Sequence, residues 1–220
     1  MTRDRGTSLP DQLIDISILV NEFTAEWPGD TPFSCRWTWE MARGDSVNVS
    51  CINSSPHVGT HADAPFHVDA TWPASEALAL DAFTGPVTVI HVDHQPGGLS
   101  LEALGVLDSA PVERILLRTG QTIADGRFPE HWPCLDESAA QALVDRGLRL
   151  LGVDAPSVDA RESKTLAVHR ILFKGGAAVL ENLDLRHAPA GNYHLTAFPI
   201  RFAGLDEAPV RAVLRPVAAS

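Results

Sequence analysis

Apolar and polar residues alternate over 13–20, the period of a half-buried strand, until Trp27-Pro-Gly-Asp-Thr-Pro32 imposes a turn built from Pro and Gly. Residues 35–39 and 47–53 have the same β-like character and run into a segment dense in histidine, which is therefore expected at a strand end. Further along, 86–92 reads as a strand, 99–107 as a short helix and 114–118 as a buried strand. A helix is predicted over 136–146, with Asp136 as its cap and Gly147 as its stop, followed by a strand over 148–153. The stretch 163–173 is expected to be helical at its start, 177–181 is a short apolar run, and 193–200 reads as strand. Strand outweighs what a regular βαβ series would contain. The pattern predicts an α/β fold, a single domain over 1–220 around a mixed, partly barrel-like sheet.

Composition narrows the function classes. The chain has 45% hydrophobic and 20% charged residues, close to the globular average, so it is expected to fold around its own core. A formal net charge of −11, with 17 scattered basic residues, argues against nucleic acid, because phosphate binding needs clustered Lys and Arg. Neither the start, Met-Thr-Arg-Asp-Arg-Gly-Thr-Ser, nor any later stretch carries an apolar run of a signal peptide or of about 18 membrane-spanning residues, so no membrane partner is expected. Cys35, Cys51 and Cys134 are odd in number and lack CxxC spacing, which suits packing roles in a reducing compartment; the expected location is cytoplasmic.

The chemistry concentrates in His57-Val-Gly-Thr-His61-Ala-Asp63-Ala-Pro-Phe-His67. Imidazole and carboxylate suit zinc, manganese or iron, and an Asp with two oxygens can bridge a pair of ions. Pro56 and Pro65 stiffen the segment and Gly59 permits an unusual backbone angle, so the donors are expected to be held in place. His169 and Glu181 lie far along the chain, and their surroundings alone do not distinguish a ligand from a solvated or hydrogen-bonded side chain.

That segment resembles the HxGTHxDxPxH signature of the cyclase family of metal-dependent hydrolases. Further blocks resemble one branch of it, the bacterial kynurenine formamidases: Trp27-Pro-Gly-Asp-Thr-Pro32, Gly152-Val-Asp-Ala-Pro-Ser-Val-Asp159, Glu162-Ser-Lys-Thr165 with His169, and Phe202-Ala-Gly-Leu-Asp-Glu-Ala-Pro-Val-Arg-Ala-Val-Leu-Arg215. The resemblance implies a swivelling β/β/α domain, usually dimeric or tetrameric. It implies His57, His61 and Asp63 as ligands of a first metal, Asp63 bridging to a second held by His169, and Glu181 as the other bridging carboxylate. It makes His67 the proton donor and acceptor and Trp27 a residue lining the substrate site.

The implied reaction is hydrolysis of N-formylkynurenine to kynurenine and formate in tryptophan breakdown, with two divalent ions, zinc before manganese or cobalt. The ions would lower the pKa of water towards about 7, and His67 would protonate the departing aniline nitrogen. An alternative role for His67 is that of a third histidine ligand. Trp27 is expected in an aromatic pocket, whereas Phe66, Trp72 and Phe128 are expected in the core. Two other functions stay open: hydrolysis of another cyclic amide or lactone such as isatin, and a metal-binding scaffold without catalysis.

Overall fold

The computed structural model describes residues 12–92, 98–105 and 113–217. Among them, eleven strands and two α-helices follow in the order β1 (Ile14–Asp15), β2 (Ser34–Trp39), β3 (Val49–Asn53), β4 (His61–Asp63), β5 (Thr84–His91), β6 (Arg114–Arg118), α1 (Glu137–Asp145), β7 (Leu150–Val153), α2 (Ala167–Lys174), β8 (Ala178–Glu181), β9 (Gly191–Thr196), β10 (Glu207–Pro209) and β11 (Val213–Pro216). Nine strands form one sheet, ordered β1-β11-β9-β5-β6-β7-β8-β4-β10, and β2 and β3 pair apart as a hairpin. The fold is mixed α/β with many strands, few helices and a strongly curled half-barrel sheet, as the pattern predicts.

The centre of the sheet is parallel, β5 to β6 to β7 to β8, and both flanks are antiparallel. The parallel strands are apolar on both faces, the signature of a sheet covered twice. In β6, Ile115 and Leu117 face the helices with Leu143, Leu151, Leu172 and Val179, while Leu116 faces a second core of Phe83, Val87, Val89, Leu150, Leu180 and Leu195. Gly152 allows this close packing, since a Cβ there would lie 2.4 Å from the Leu116 side chain and would push it aside.

Several expectations need correction. Only Ile14–Asp15 of 13–20 is strand, because side chains capture the backbone beyond it: Asp15 Oδ1 accepts the Ser17 N–H at 3.1 Å and Thr60 Oγ1 accepts the Ile18 N–H at 2.9 Å. The predicted helix over 99–107 is absent from its described part: Leu99 bridges to Leu135 and 101–105 is turn, while residues 106 and 107 lie outside the described residues. In 163–173 the start is an irregular bend, and helix begins only after Leu166, whose φ of 47° is left-handed. Asp136 occupies the cap position of α1 without a side-chain capping bond. Cys35 is exposed, so it is no packing residue.

Candidate metal centre

Three neighbouring strands assemble the site. In the pleat, directly opposed residues project from one face. His61 lies opposite Glu181 across the β4–β8 pair, and Asp63 lies two residues beyond His61 on the same face. Glu207 lies opposite Asp63 across the β4–β10 pair. His169 comes from the first turn of α2, and His57 from the loop before β4.

That loop is fixed from several sides. Gly59 adopts φ +84°, and a Cβ there would lie 2.4 Å from Val20 Cγ2, so the position admits only glycine. The buried Thr60 hydroxyl donates to the Asn182 carbonyl at 2.6 Å, tying the loop to the end of β8.

The outer nitrogen of each of the three histidines is tied to an oxygen, which decides what the inner nitrogen offers. His61 Nδ1 lies 2.9 Å from the Gly59 carbonyl, which can only accept, so Nδ1 carries the proton and Nε2 is left as a lone pair. His169 Nδ1 meets Asp159 Oδ2 at 2.7 Å, and His57 Nε2 meets Asp206 Oδ2 at 3.2 Å. The inner nitrogens converge on Asp63. His61 Nε2 is 3.3 Å and His57 Nδ1 is 3.7 Å from Oδ1, while His169 Nε2 is 3.0 Å from Oδ2. Glu181 spans the same gap, with Oε1 3.2 Å from His169 Nε2 and Oε2 3.7 Å from His61 Nε2.

Lone pairs therefore face carboxylate oxygens, and only a proton or a cation reconciles them. Asp63 Oδ1 and the Glu207 carboxylate are buried against the same histidine nitrogens, Glu207 Oε2 lying 3.2 Å from His61 Nε2 and against His57 Nδ1. As protein alone, the site recruits protons. Burial pulls His57 down, but the hydrogen bonds to Asp206 and Glu207 and the charge of Asp63 carry it to about 11. Burial likewise opposes charge on His61, yet Glu207 and Asp63 raise it to about 9. Burial drives Glu207 up to about 7. Two sets of donor atoms lie within 4.8 Å of one another, His57–His61–Asp63–Glu207 and Asp63–His169–Glu181, with Asp63 in both. This donor chemistry fits a pair of divalent ions, and outer oxygens holding the histidine rings are the usual companions of histidine ligands.

A cavity of about 450 Å³ opens over the cluster, lined by Trp27, His57, His61, His67, Phe128, Glu181 and Asn182 among others. Trp27 stands edge-on to Phe128 at 5.3 Å and to Trp132 at 6.0 Å. Phe128 thus belongs to the cavity wall as well as to the rim of the core, a correction to its expected place, while Trp72 packs against the core as expected. His67 lies on the wall with its ring 4.7 Å from that of His57 and its Nδ1 3.7 Å from Asp206 Oδ2. It can join His57 and Asp206 in a looser group at the cavity side, apart from the Asp63 cluster.

The structure thus brings His57, His61, Asp63, His67, His169, Glu181 and Trp27 to one place. Sequence reasoning missed Glu207, Asp206 and Asp159 as parts of the site. Both Asp206 and Glu207 sit in the C-terminal block Leu205-Asp-Glu-Ala-Pro209, whose adjacent acids in an otherwise apolar context were the available signal. It also missed Asn182, whose Oδ1 is buried and unpartnered on the cavity wall and whose φ is 55°.

A curled sheet carrying a buried histidine–carboxylate cluster beneath an apolar cleft defines the class: a metal-dependent hydrolase. The model of the Cyclase family matches residues 14–160, and the chain belongs to that family. It is 42% identical over 211 residues to the kynurenine formamidase of Bacillus mycoides, an alignment covering 94% of this chain and 98% of that one. It is 43% identical to the kynurenine formamidase of Geobacillus thermodenitrificans, covering 92% and 96%. Among solved structures, a predicted metal-dependent hydrolase from Bacillus stearothermophilus superposes with a TM-score of 0.77 at 25% identity, covering 92% of this chain and 97% of that one. Isatin hydrolase A from Ralstonia solanacearum shares the fold at 20% identity, with a TM-score of 0.76 and coverage of 92% and 91%.

Proposed function

We infer that this chain hydrolyses N-formylkynurenine to kynurenine and formate. One observation carries the reading to chemistry: three histidines present lone pairs to a shared aspartate under a cavity whose wall is aromatic. His57, His61 and Asp63 would hold a first ion, Asp63 and His169 a second, and Glu181 would serve both. The ions are zinc, with manganese and cobalt as alternatives that the same donors accept. When bound, such ions acidify water towards a pKa of about 7 and polarise a carbonyl.

The protein's own groups do the rest. Trp27 and Phe128 take the substrate ring against their faces and edges. His67 accepts the proton released by water and returns it to the aniline nitrogen, which leaves only once protonated. Asp206, facing His67 Nδ1, leaves Nε2 as the exchanging atom. The hydrogen bond from His57, with burial opposing it, holds the Asp206 carboxyl down at about 2, so it stays anionic throughout.

The chain works as one domain over 1–220. It does so as a cytoplasmic homodimer or homotetramer, for which the exposed apolar hairpin β2–β3 and three free cysteines are the support. No helix among the described residues is long and apolar enough to cross a membrane. The test is an assay of metal-stripped protein, reconstituted with zinc, manganese or cobalt in turn, against N-formylkynurenine and against isatin. Turnover of the formamide alone supports the reading. Turnover of isatin alone replaces it with ring opening, a reading that has the shared fold behind it.

A further inference from the structure

Glu207 stands outside the ligand set assigned above, and packing does not account for it. Strand β10 is the last strand of the sheet, and its register against β4 is anchored on both sides. The Ala64 N–H donates to the Asp206 carbonyl at 2.9 Å, and the Val210 N–H to the Thr60 carbonyl at 2.9 Å. This sets Glu207 directly opposite Asp63. A slip of one residue would turn the acid towards the face where Ala208 and Ala62 now lie fully buried against each other.

The fold thus packs two carboxylates side by side, with Glu207 at 0% and Asp63 at 1% exposure. Like charges in directly opposed positions repel, and a buried anion is tolerated only when paired. The ion pairs described for Glu207 are with His57 Nδ1 and with His61 Nε2, the latter at 3.2 Å. Both nitrogens have their second ring atom committed to another oxygen. Glu207 is therefore a fully buried carboxylate whose partners are the same two ring nitrogens that face Asp63.

Resting on the metal reading above, we propose that Glu207 is a further protein donor at the first metal position, beside His57, His61, Asp63 and the shared Glu181. His57, His61, Asp63 and Glu207 offer two nitrogens and two oxygens, all within 4.8 Å of one another. The second group, Asp63, His169 and Glu181, offers three donors. With Glu181 shared, the first position has five protein donors against three at the second; a site filled by protein donors is closed, and one with three keeps a place for water. The first ion is accordingly the firmly held one, and the second is the one exchanged on dialysis.

Zinc titration against a competing chelator, on metal-free wild type, Glu207→Gln and Glu207→Ala, tests the proposal without reference to activity. In both variants the tighter zinc is expected to weaken by at least about 100-fold, since removal of mere outer partners already costs about 10–100-fold. The weaker zinc should change less than about threefold. Unfolding measured with and without zinc gives the second readout: Glu207→Gln should gain less stability from added zinc than wild type does. A Gln variant that binds both ions like wild type, or that melts lower without metal while binding normally, would overturn the proposal and leave Glu207 a charge partner of His57. If wild type itself binds no zinc, the metal reading fails and takes this role with it.

Discussion

The hairpin β2–β3 ends at Asn53, a few residues before His57, yet the two regions are built in opposite ways. Every residue of β2 is exposed, and Trp37, Trp39 and Ile52 lie 51%, 54% and 63% open to solvent, with only the partner strand to bond to. Every residue of β4 is buried, clamped between β8 and β10. Each region is incomplete in its own chemistry. The hairpin leaves apolar area in water and lacks an apolar partner, whereas the cluster leaves carboxylate oxygens in the core and lacks a cation. What a region fails to satisfy internally indicates what it is made to meet.

The contrast breaks most severely at Asp63, the residue common to both donor sets. Asp63→Asn should lose the second ion, weaken the first and cut turnover by about 10³-fold or more, because the Lewis-acid contribution is several kcal/mol. Elemental analysis beside the assay checks this, with two ions expected per wild-type chain. Retention of both ions by the variant would move the shared role elsewhere. Next in size is His67→Ala, expected to keep both ions and lose about 10²–10⁴-fold in turnover. Loss of metal along with rate would make His67 a ligand instead.

The pH response separates a cluster that awaits a cation from one that is complete with protons. In the metal-free fold, His57 and His61 are raised to about 11 and about 9 from 6.5. A folded pKa above the unfolded one means stability that is full below pH 6.5 and lost as pH rises through 9 and then 11. Glu207, raised from 4.5 to about 7, acts in the same direction between those values. Metal binding requires these groups to give up their protons, so its stabilisation grows over the same range. Melting curves with and without chelator between pH 6 and 9 should therefore diverge as pH rises; parallel curves would mean that the protons are not held in the cluster.

Trp27→Ala is a smaller change. Ring contact of this kind contributes about 0.5–1.5 kcal/mol, so the Michaelis constant should rise about threefold to tenfold with little change in turnover. Unchanged kinetics with a lowered melting point would show that Trp27 only packs against Phe128 and Trp132.

How much of this was legible in the sequence follows from the range over which each feature is encoded. The strands Arg114–Arg118, Leu150–Val153 and Ala178–Glu181 could be read because burial on both faces leaves a continuous apolar run. The histidine motif could be read because its donors and its glycine lie within one loop. The short first strand could not, since Thr60, far along the chain, takes the Ile18 N–H that a longer ladder would have used. The adjacent acids of its block marked Glu207 as unusual but could not place it, for a related reason: an acid in β10 becomes part of the site only through a register that sets it against Asp63. The aromatic wall needed Phe128 brought beside Trp27 by tertiary packing.

The smallest expected effect on the chain itself falls on the hairpin, and it tests the other half of the comparison. A lone two-stranded hairpin is marginal in water, so one that presents Trp37, Trp39 and Ile52 outward gains most by covering them. Since these side chains belong to neither core cluster among the described residues, Ile52→Lys should shift the monomer's stability by no more than about 0.5 kcal/mol. Covered by a second copy, the same position would bury a charge, and the oligomer should dissociate. Sedimentation of wild type and Ile52→Lys across a concentration series distinguishes the cases, with turnover measured on both. A variant that stays as associated as wild type would place the contact between copies elsewhere. A wild type that sediments as a monomer at every concentration would remove the apolar partner altogether, and leave the hairpin's exposed tryptophans without the role that the buried carboxylates suggest for their own region.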